Sequence, residues 1–442
     1  MSMSLIERFR SHLAGLDLGP GAALVAVSGG PDSVALLDLL TRTVDTHGLE
    51  LVVGHVDHGI HPDSARVAEA VQGLAHGYGL AIEVGELRLG PVAGETLARD
   101  RRYCWLEETR ARVGAYTILT AHHADDQIET VLMRVLAGSG PAGLAGMAAR
   151  SGMLVRPLLP FRRVELADYL EERGLSGWLD PANADPRHLR SWIRTELLPL
   201  VRSRVSRAEL NLQRLATQAA DDRAAWEAVL DVLPELDLRT GAGEISVAAS
   251  VLADYDSALI QAVVLALARR AGCRLGPARA ARVLSLLRDG TSGAWVPLGG
   301  NWIAELAFGR LQIHSTASEP VTQPWTMEGA QGSAVWGRWR FRWEQASAPE
   351  HQDRSALHAW FASPALTIRA WAAGERVKPL GGRGHRLVVR CFQEEQVPRS
   401  RRTTWPVVVQ GSEIVWIPGV CRSDAQVPAS GMEAIRVDAE YT

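Results

Sequence analysis

The chain is nearly devoid of lysine: Lys378 is the only one in 442 residues, and arginine supplies the remaining positive charge. A Walker-type phosphate loop needs a lysine beside its glycines, and Schiff-base chemistry needs a lysine amine, so the residues before Lys378 can support neither. Cysteine is scarce as well. Cys104, Cys273, Cys391 and Cys421 are far apart and none forms a two-residue-spaced pair, which excludes zinc and dithiol redox spacings and reads as the reduced thiols of a cytosolic protein. No apolar run is long enough to span a bilayer, and the first eighteen residues lack the features of a secretory leader. The expectation is a cytoplasmic protein with no membrane partner. A dominant charge is also lacking: 47 basic residues face 50 acidic ones, for a formal charge of −3. Any surface for nucleic acid must therefore be local.

What is present is a globular composition, 47% hydrophobic and 22% charged, with enough length for two or three cores. From Ala22 onward, short apolar runs at 23–27, 51–56, 81–87 and 116–120 alternate with periodic helical segments at 32–41, 64–78, 96–113 and 125–136. Strands that are apolar without strict alternation are covered on both faces, so the sheet should be parallel. The reading is an α/β parallel-sheet, nucleotide-binding N-terminal domain over 1–200. A mainly helical domain follows over 201–316, then a polar, proline-bearing linker at 316–324. A small α+β C-terminal domain closes the chain over 325–442.

The most informative stretch is Ser28-Gly29-Gly30-Pro31-Asp32-Ser33, between an apolar strand and a helix start. Gly29 and Gly30 let backbone amides approach an anion, Pro31 suits a first helical turn, and the helix N-terminus adds a positive dipole. Ser28 and Ser33 can donate to phosphate oxygens. Asp32 would repel bare phosphate, so its useful role is to bind Mg²⁺. Two further clusters follow strand ends, one at His55-Val56-Asp57-His58-Gly59-Ile60-His61 and one at His122-His123-Ala124-Asp125-Asp126-Gln127-Ile128-Glu129. Ligands of open α/β sheets bind beyond the carboxyl ends of strands, so both clusters point to one edge.

Histidines and carboxylates at this density also suit a dinuclear metallohydrolase with His122, His123, Asp125 and Asp126 as ligands. The phosphate cradle upstream weighs against it, because a hydrolase has no use for one. A helix interleaving Arg99, Arg101, Arg102, Tyr103 and Trp105 offers forks for phosphate and faces for bases. Two arginine-rich segments, 186–214 with seven arginines against two glutamates and 369–402 with nine basic residues against three acidic, could follow a polyanion larger than a nucleotide.

The loop resembles that of the N-type ATP pyrophosphatases, the PP-loop superfamily. The whole series of motifs resembles the tRNA(Ile)-lysidine synthetase family: the loop, 55–59, Ala98-Arg99, Arg102-Tyr103, 122–130, 138–147, Arg156-Pro157-Leu158, Asp180-Pro181-Ala182-Asn183, Ile193-Arg194, Gly374-Glu375-Arg376, 393–398 and Trp416-Ile417-Pro418-Gly419. That resemblance implies an ATP-dependent ligase. ATP adenylates the C2 carbonyl oxygen of the wobble cytidine in the CAU anticodon of tRNA(Ile), free L-lysine attacks C2, and AMP and PPi are released. It implies ATP binding by Ser28, Gly29, Gly30, Pro31, Asp32, Ser33 and His55, Mg²⁺ at Asp32 and Asp126, and electrostatic help from Arg102 and Arg194. Asp125 and Glu129 are the expected lysine-binding residues. His61, Asp57, Ser191, Glu375 and Arg386 depart from the family's usual residues. The oligomeric state is left open, a homodimer included. Thiolation by the same adenylating fold is the nearest alternative, but it commonly uses paired cysteines, whereas Cys104 is alone in the N-terminal domain.

Overall fold

The structure is a computed structural model and describes residues 3–16, 18–19, 21–57, 59, 64–87, 90, 94–178, 189–241, 243–316, 323–353 and 356–441. His58, Ile60, His61, the 180–183 motif and most of the expected linker lie outside the described residues. The chain divides into two compact units, 1–224 and 225–442.

In the first unit, helix α1 (Leu5–Ala14) precedes an alternating series: β1 (Ala22–Ala26), α2 (Pro31–Arg42), β2 (Glu50–Asp57), α3 (Ser64–Gly77), β3 (Ala81–Glu86), α4 (Glu95–Arg112), β4 (Thr117–Leu119) and α5 (Ala124–Leu136). A short hairpin, β5 (Arg150–Ser151) and β6 (Leu154–Val155), leads to α6 (Arg163–Glu172). The sheet runs β3-β2-β1-β4-β6-β5 and is parallel except for β5. The four strands read from the sequence are β1 to β4, contiguous in the sheet from its β3 edge. The hairpin's two-residue strands are too short to give a periodic signal. The chain order reverses between β2 and β4 around β1, so the carboxyl end of β1 is a topological switch point, where such sheets bind ligands.

Helix α2 shows how burial fixes this end of the sheet. Leu36, Leu37, Leu39 and Leu40 are fully buried, each contributing about 1.5–3 kcal/mol by removing apolar surface from water. The same helix carries Asp38, also fully buried. Tyr78 Oη donates to it at 2.6 Å, Tyr169 Oη donates to its other oxygen, and Arg173 pairs with it. Burial alone would raise the Asp38 carboxyl, but these donors together hold it below the usual carboxylate range.

Beyond α6, α7 (Leu189–Trp192), a π-helical turn at Ile193–Leu197, α8 (Leu198–Arg204) and the long α9 (Ala208–Val229) follow. The first unit runs past the expected boundary at 200 because Leu212 of α9 packs on Ile128, Ile193 and Leu198.

Among the described residues the second unit holds three hydrophobic clusters, one in 230–313 and two in 327–439. Residues 230–313 build helices on a five-stranded antiparallel sheet, Arg239–Gly241, Glu244–Ala248, Arg310–Ser315, Trp302–Ala307 and Trp295–Gly299 in spatial order. The helical reading of this region is thus joined by more sheet than expected, because Glu244–Ala248 and Trp302–Ala307 are half-buried strands short enough to pass as loop. Residues 327–439 form antiparallel sheets around Trp336, Trp339, Phe341, Trp416 and neighbours, with the short helix Val388–Glu394 alongside. Among the described residues, no helix is long and apolar enough to cross a membrane.

Candidate active site

The turn after β1 explains its glycines. Gly29 has φ +86°, and a Cβ there would meet Val67 Cγ1 at 2.6 Å, so only glycine fits. Gly30 is the N-cap of α2 and offers no side chain, Pro31 opens the helix, and Asp32 sits in its first turn. Ser33 Oγ donates to Gly30 O at 2.7 Å and lies 3.3 Å from Ser28 Oγ. The two hydroxyls are thereby gathered inside the bend. A second segment lies against the loop: Trp178 N donates to Gly29 O at 2.8 Å, and a Cβ on Gly177 would reach Pro31 N at 2.4 Å. Sequence reading missed Gly177 and Trp178, which carry no recognisable motif.

His55, near the end of β2, is buried, and its Nδ1 lies 2.8 Å from Val27 O. Burial lowers its pKa, so the ring is neutral, Nδ1–H donates to the carbonyl, and Nε2 is left as an acceptor. Asp57 accepts from Gly59 N at 2.7 Å and so folds its own turn.

At the end of β4 the third cluster closes onto the loop. His123 caps α5: its Nδ1 accepts from Asp126 N while Asp126 Oδ2 accepts from His123 N, the reciprocal arrangement of a capping box. Its Nε2 stands 3.5 Å from Asp32 Oδ2 and 3.6 Å from Asp126 Oδ2. One buried imidazole therefore joins the first turn of α2 to the first turn of α5. Burial opposes its charge, but the Asp32 hydrogen bond and the fields of Asp126, Asp32 and Asp125 outweigh burial and raise its pKa. His122 behaves oppositely. Its Nδ1 shares a hydrogen bond with Thr120 Oγ1 at 3.0 Å, and burial, then Arg156, Arg102, Arg99 and Arg190, push its pKa down to about 2. It is a neutral group in an electropositive corner. Arg102 stacks over Tyr103 at 5.3 Å, and its Nε is buried.

The carboxylates of α5 are heavily paired. Glu129 is buried and accepts from Arg190 Nε at 2.7 Å and Arg194 Nε at 2.6 Å, while Arg190 Nη2 reaches Asp126 Oδ1 at 2.7 Å. Asp125 accepts Arg162 Nη2 at 2.7 Å and Arg163 N at 2.7 Å. Neither residue expected to hold lysine thus offers a free carboxylate. Arg190 was overlooked in the sequence, although its four-residue spacing to Arg194 places both on one helical face.

Asp32 Oδ2 and Asp126 Oδ2 both lie beside His123 Nε2, at 3.5 and 3.6 Å; carboxylate oxygens are the donors Mg²⁺ takes, one or two at a time, with phosphate and water completing its shell. The dinuclear metallohydrolase does not fit. Among the described residues no three His, Cys, Asp or Glu side chains are grouped to hold a metal ion, because Asp125 is spent on Arg162 and His123 on capping.

The basic segments are also partly neutralised. Arg369 pairs with Glu375, Lys378 with Asp424, Arg386 with Glu394 and Arg401 with Glu244, while Arg202 pairs with Glu209. Their surface charge is smaller than the count of arginines suggests.

Comparison with known proteins gives two family matches: a PP-loop domain over residues 4–201 and a TilS substrate C-terminal domain over 366–438. A tRNA(Ile)-lysidine synthase from Symbiobacterium thermophilum is 31% identical over 476 residues, covering 98% of each chain. Another, from Geobacter sulfurreducens, is 32% identical over 441 residues, with 94% of this chain and 92% of that one covered. Among solved structures, the U34-tRNA thiolase NcsA from Methanococcus maripaludis matches at 16% identity and a TM-score of 0.41, over 48% of this chain and 77% of that one.

Proposed function

From the premise that the chain belongs to the tRNA(Ile)-lysidine synthase family, we propose that it joins free L-lysine to C2 of the wobble cytidine in the CAU anticodon of tRNA(Ile), consuming ATP. It is a ligase of the PP-loop type that forms a carbon–nitrogen bond. The cytidine C2 oxygen attacks the α-phosphorus of ATP and PPi leaves. The lysine ε-amine then attacks C2, gives up a proton, and AMP departs carrying the former C2 oxygen. The thiolation alternative is not favoured.

The observation that supports this reading best is the meeting of Asp32 and Asp126 at His123 Nε2, which brings the phosphate loop and the third cluster within one reaction's reach. The Ser28 to Ser33 bend would hold the β- and γ-phosphates through backbone amides and hydroxyls at the α2 dipole. His55 Nε2, an acceptor, suits a nucleoside donor. Mg²⁺ held by Asp32 and Asp126 would offset charge growing on departing PPi. Arg102 and Arg194 would stabilise the transferring phosphoryl group. Glu129 enters as the group that aims Arg190 and Arg194. The cytoplasm is the proposed location, the compartment where its RNA substrate would be found.

The test uses ATP, labelled lysine and tRNA(Ile) with a CAU anticodon, beside methionine tRNA bearing the same anticodon. Selective incorporation with AMP and PPi released is expected. Incorporation into neither rejects the function, and equal incorporation rejects the selectivity. Asp32→Ala should abolish PPi release and leave tRNA binding nearly unchanged; normal turnover in that variant would reject the role of Asp32.

A further inference from the structure

The two carboxylates that open α5 face different partners. Asp126 meets His123, which reaches Asp32, whereas Asp125, although its Oδ2 also lies 3.7 Å from His123 Nδ1, takes its hydrogen bonds from residues 162 and 163. Its Oδ1 accepts from Arg162 Nη2 at 2.7 Å and Nε at 3.1 Å, and its Oδ2 accepts from Arg163 N at 2.7 Å and Arg162 Nε at 3.2 Å. One residue earlier, Ala124 N donates to Phe161 O at 2.8 Å. The first turn of α5 is therefore bolted to the three-residue segment 161–163 through main chain and side chain together.

Arg162 is fixed in its turn. It caps α6, its own N–H donates to Glu165 Oε2 at 2.8 Å, and its Nη2 reaches Glu209 Oε2 at 2.8 Å in the first turn of α9. Arg202 holds the other oxygen of Glu209. A guanidinium donates from a planar fork, so once Asp125 and Glu209 occupy two of its edges its orientation is set. Asp125, Arg162 and Glu209 are partly shielded from solvent, at 21%, 31% and 14% side-chain exposure. This is a regime in which paired charges count for more than at the open surface.

We propose that Arg162 and Asp125 are positioning residues for the reaction, holding the first turn of α5 so that Asp126 and Glu129 keep their places, and that Asp125 is not a ligand of the substrate lysine. The proposal rests on the ligase reading above. A carboxylate that takes four hydrogen bonds from one arginine fork and one backbone amide has no strong acceptor direction left for an ammonium ion. The neighbouring Asp126, one residue along, is what the clamp aims.

The two roles separate kinetically, because adenylation of the tRNA needs no lysine. Three quantities are measured: PPi release from ATP and tRNA without lysine, and the kcat and the lysine KM of the complete reaction. With Asp125→Asn and with Arg162→Ala, both steps should slow by a similar factor, about 10- to 100-fold, with the lysine KM within a factor of about two of the parent. Arg162→Lys should recover part of the rate, since it keeps charge but not the fork. The double variant Asp125→Asn/Arg162→Ala should be little worse than either single one, because both remove the same clamp. A large rise in lysine KM for Asp125→Asn with lysine-free PPi release intact would overturn the proposal and make Asp125 a substrate ligand. Unaltered kinetics in both single variants would also overturn it. Circular dichroism and melting of each variant identify any that fail to fold, in which case the Glu209→Gln variant, which loosens Arg162 from the far side, must show the paired slowing. A parent protein that makes no lysidine would instead reject the ligase reading itself.

Discussion

Gly29 carries two constraints at one position, a left-handed backbone and a Cβ-free approach to Val67. Gly29→Ala should therefore weaken ATP binding and cost about 1–3 kcal/mol of stability; calorimetric titration with ATP and a thermal melt measure the two. Glu129 makes the opposite kind of demand, since its removal takes a buried anionic acceptor from two arginines and leaves them, among the described residues, Asp126 alone to share. Glu129→Gln, nearly isosteric, should destabilise by about 3–5 kcal/mol, read from the denaturant midpoint, and an unchanged midpoint would mean the arginines find other partners. Single residues were the most legible layer of the sequence wherever chemistry demanded a type: the glycines and Asp32 stood out from their own chemistry, while Asp126 and Arg194 were singled out through the family resemblance. Arg162, Arg190 and Asp38 did not stand out, because an arginine or aspartate that pairs across the fold looks like any solvated charge until its partner is located.

Among the elements, α2 is tied to α6 by a buried carboxylate, Asp38, with donors Tyr169 and Arg173 and a third donor, Tyr78, just beyond α3. Its pKa lies below the ordinary aspartate value, so the unfolded state binds more protons than the native one in that window. The stabilisation is then present above pH about 4 and is lost as pH falls through the lower native value. His122, neutral and with its pKa pushed down to about 2, has the same sign in a different window. Its contribution is complete above the ordinary histidine value near 6.5 and decays as pH falls below it. Urea melts at stepped pH should show both limbs, the His122→Gln variant flattening the one between about pH 6 and 4 and Asp38→Asn the more acidic one. Persistence of both limbs in the variants would contradict these environments. Gly177→Ala tests the contact between loop and following segment: its Cβ would collide with Pro31 backbone, so the ATP KM should rise about tenfold or more. Four of the five parallel strands, and their helices, were legible because burial on both faces writes apolar runs into the sequence. The hairpin 150–155 and the strands 244–248 and 302–307 were not, since short antiparallel pieces carry half the signal and depend on distant partners.

For the molecule as a whole, the distribution of charge matters more than the sum. Nine basic residues between 369 and 402 suggested a strong polyanion surface, yet several are matched by carboxylates within the second unit. The salt dependence of tRNA affinity should therefore be shallower than the number of arginines predicts, while the ATP KM changes little between low and moderate salt. Filter binding against log salt concentration measures the slope. A slope as steep as full engagement of all nine would contradict the pairing. The measurement that bears most directly on the central claim follows a single oxygen atom. If the bend at Ser28 to Ser33 presents the α-phosphorus of ATP to the RNA base, tRNA(Ile) carrying a heavy oxygen isotope at C2 of its wobble cytidine should yield AMP in which that isotope has become a phosphate oxygen, one label for each lysine incorporated. Label retained in the tRNA, or AMP free of it while lysine is still joined, would contradict the account.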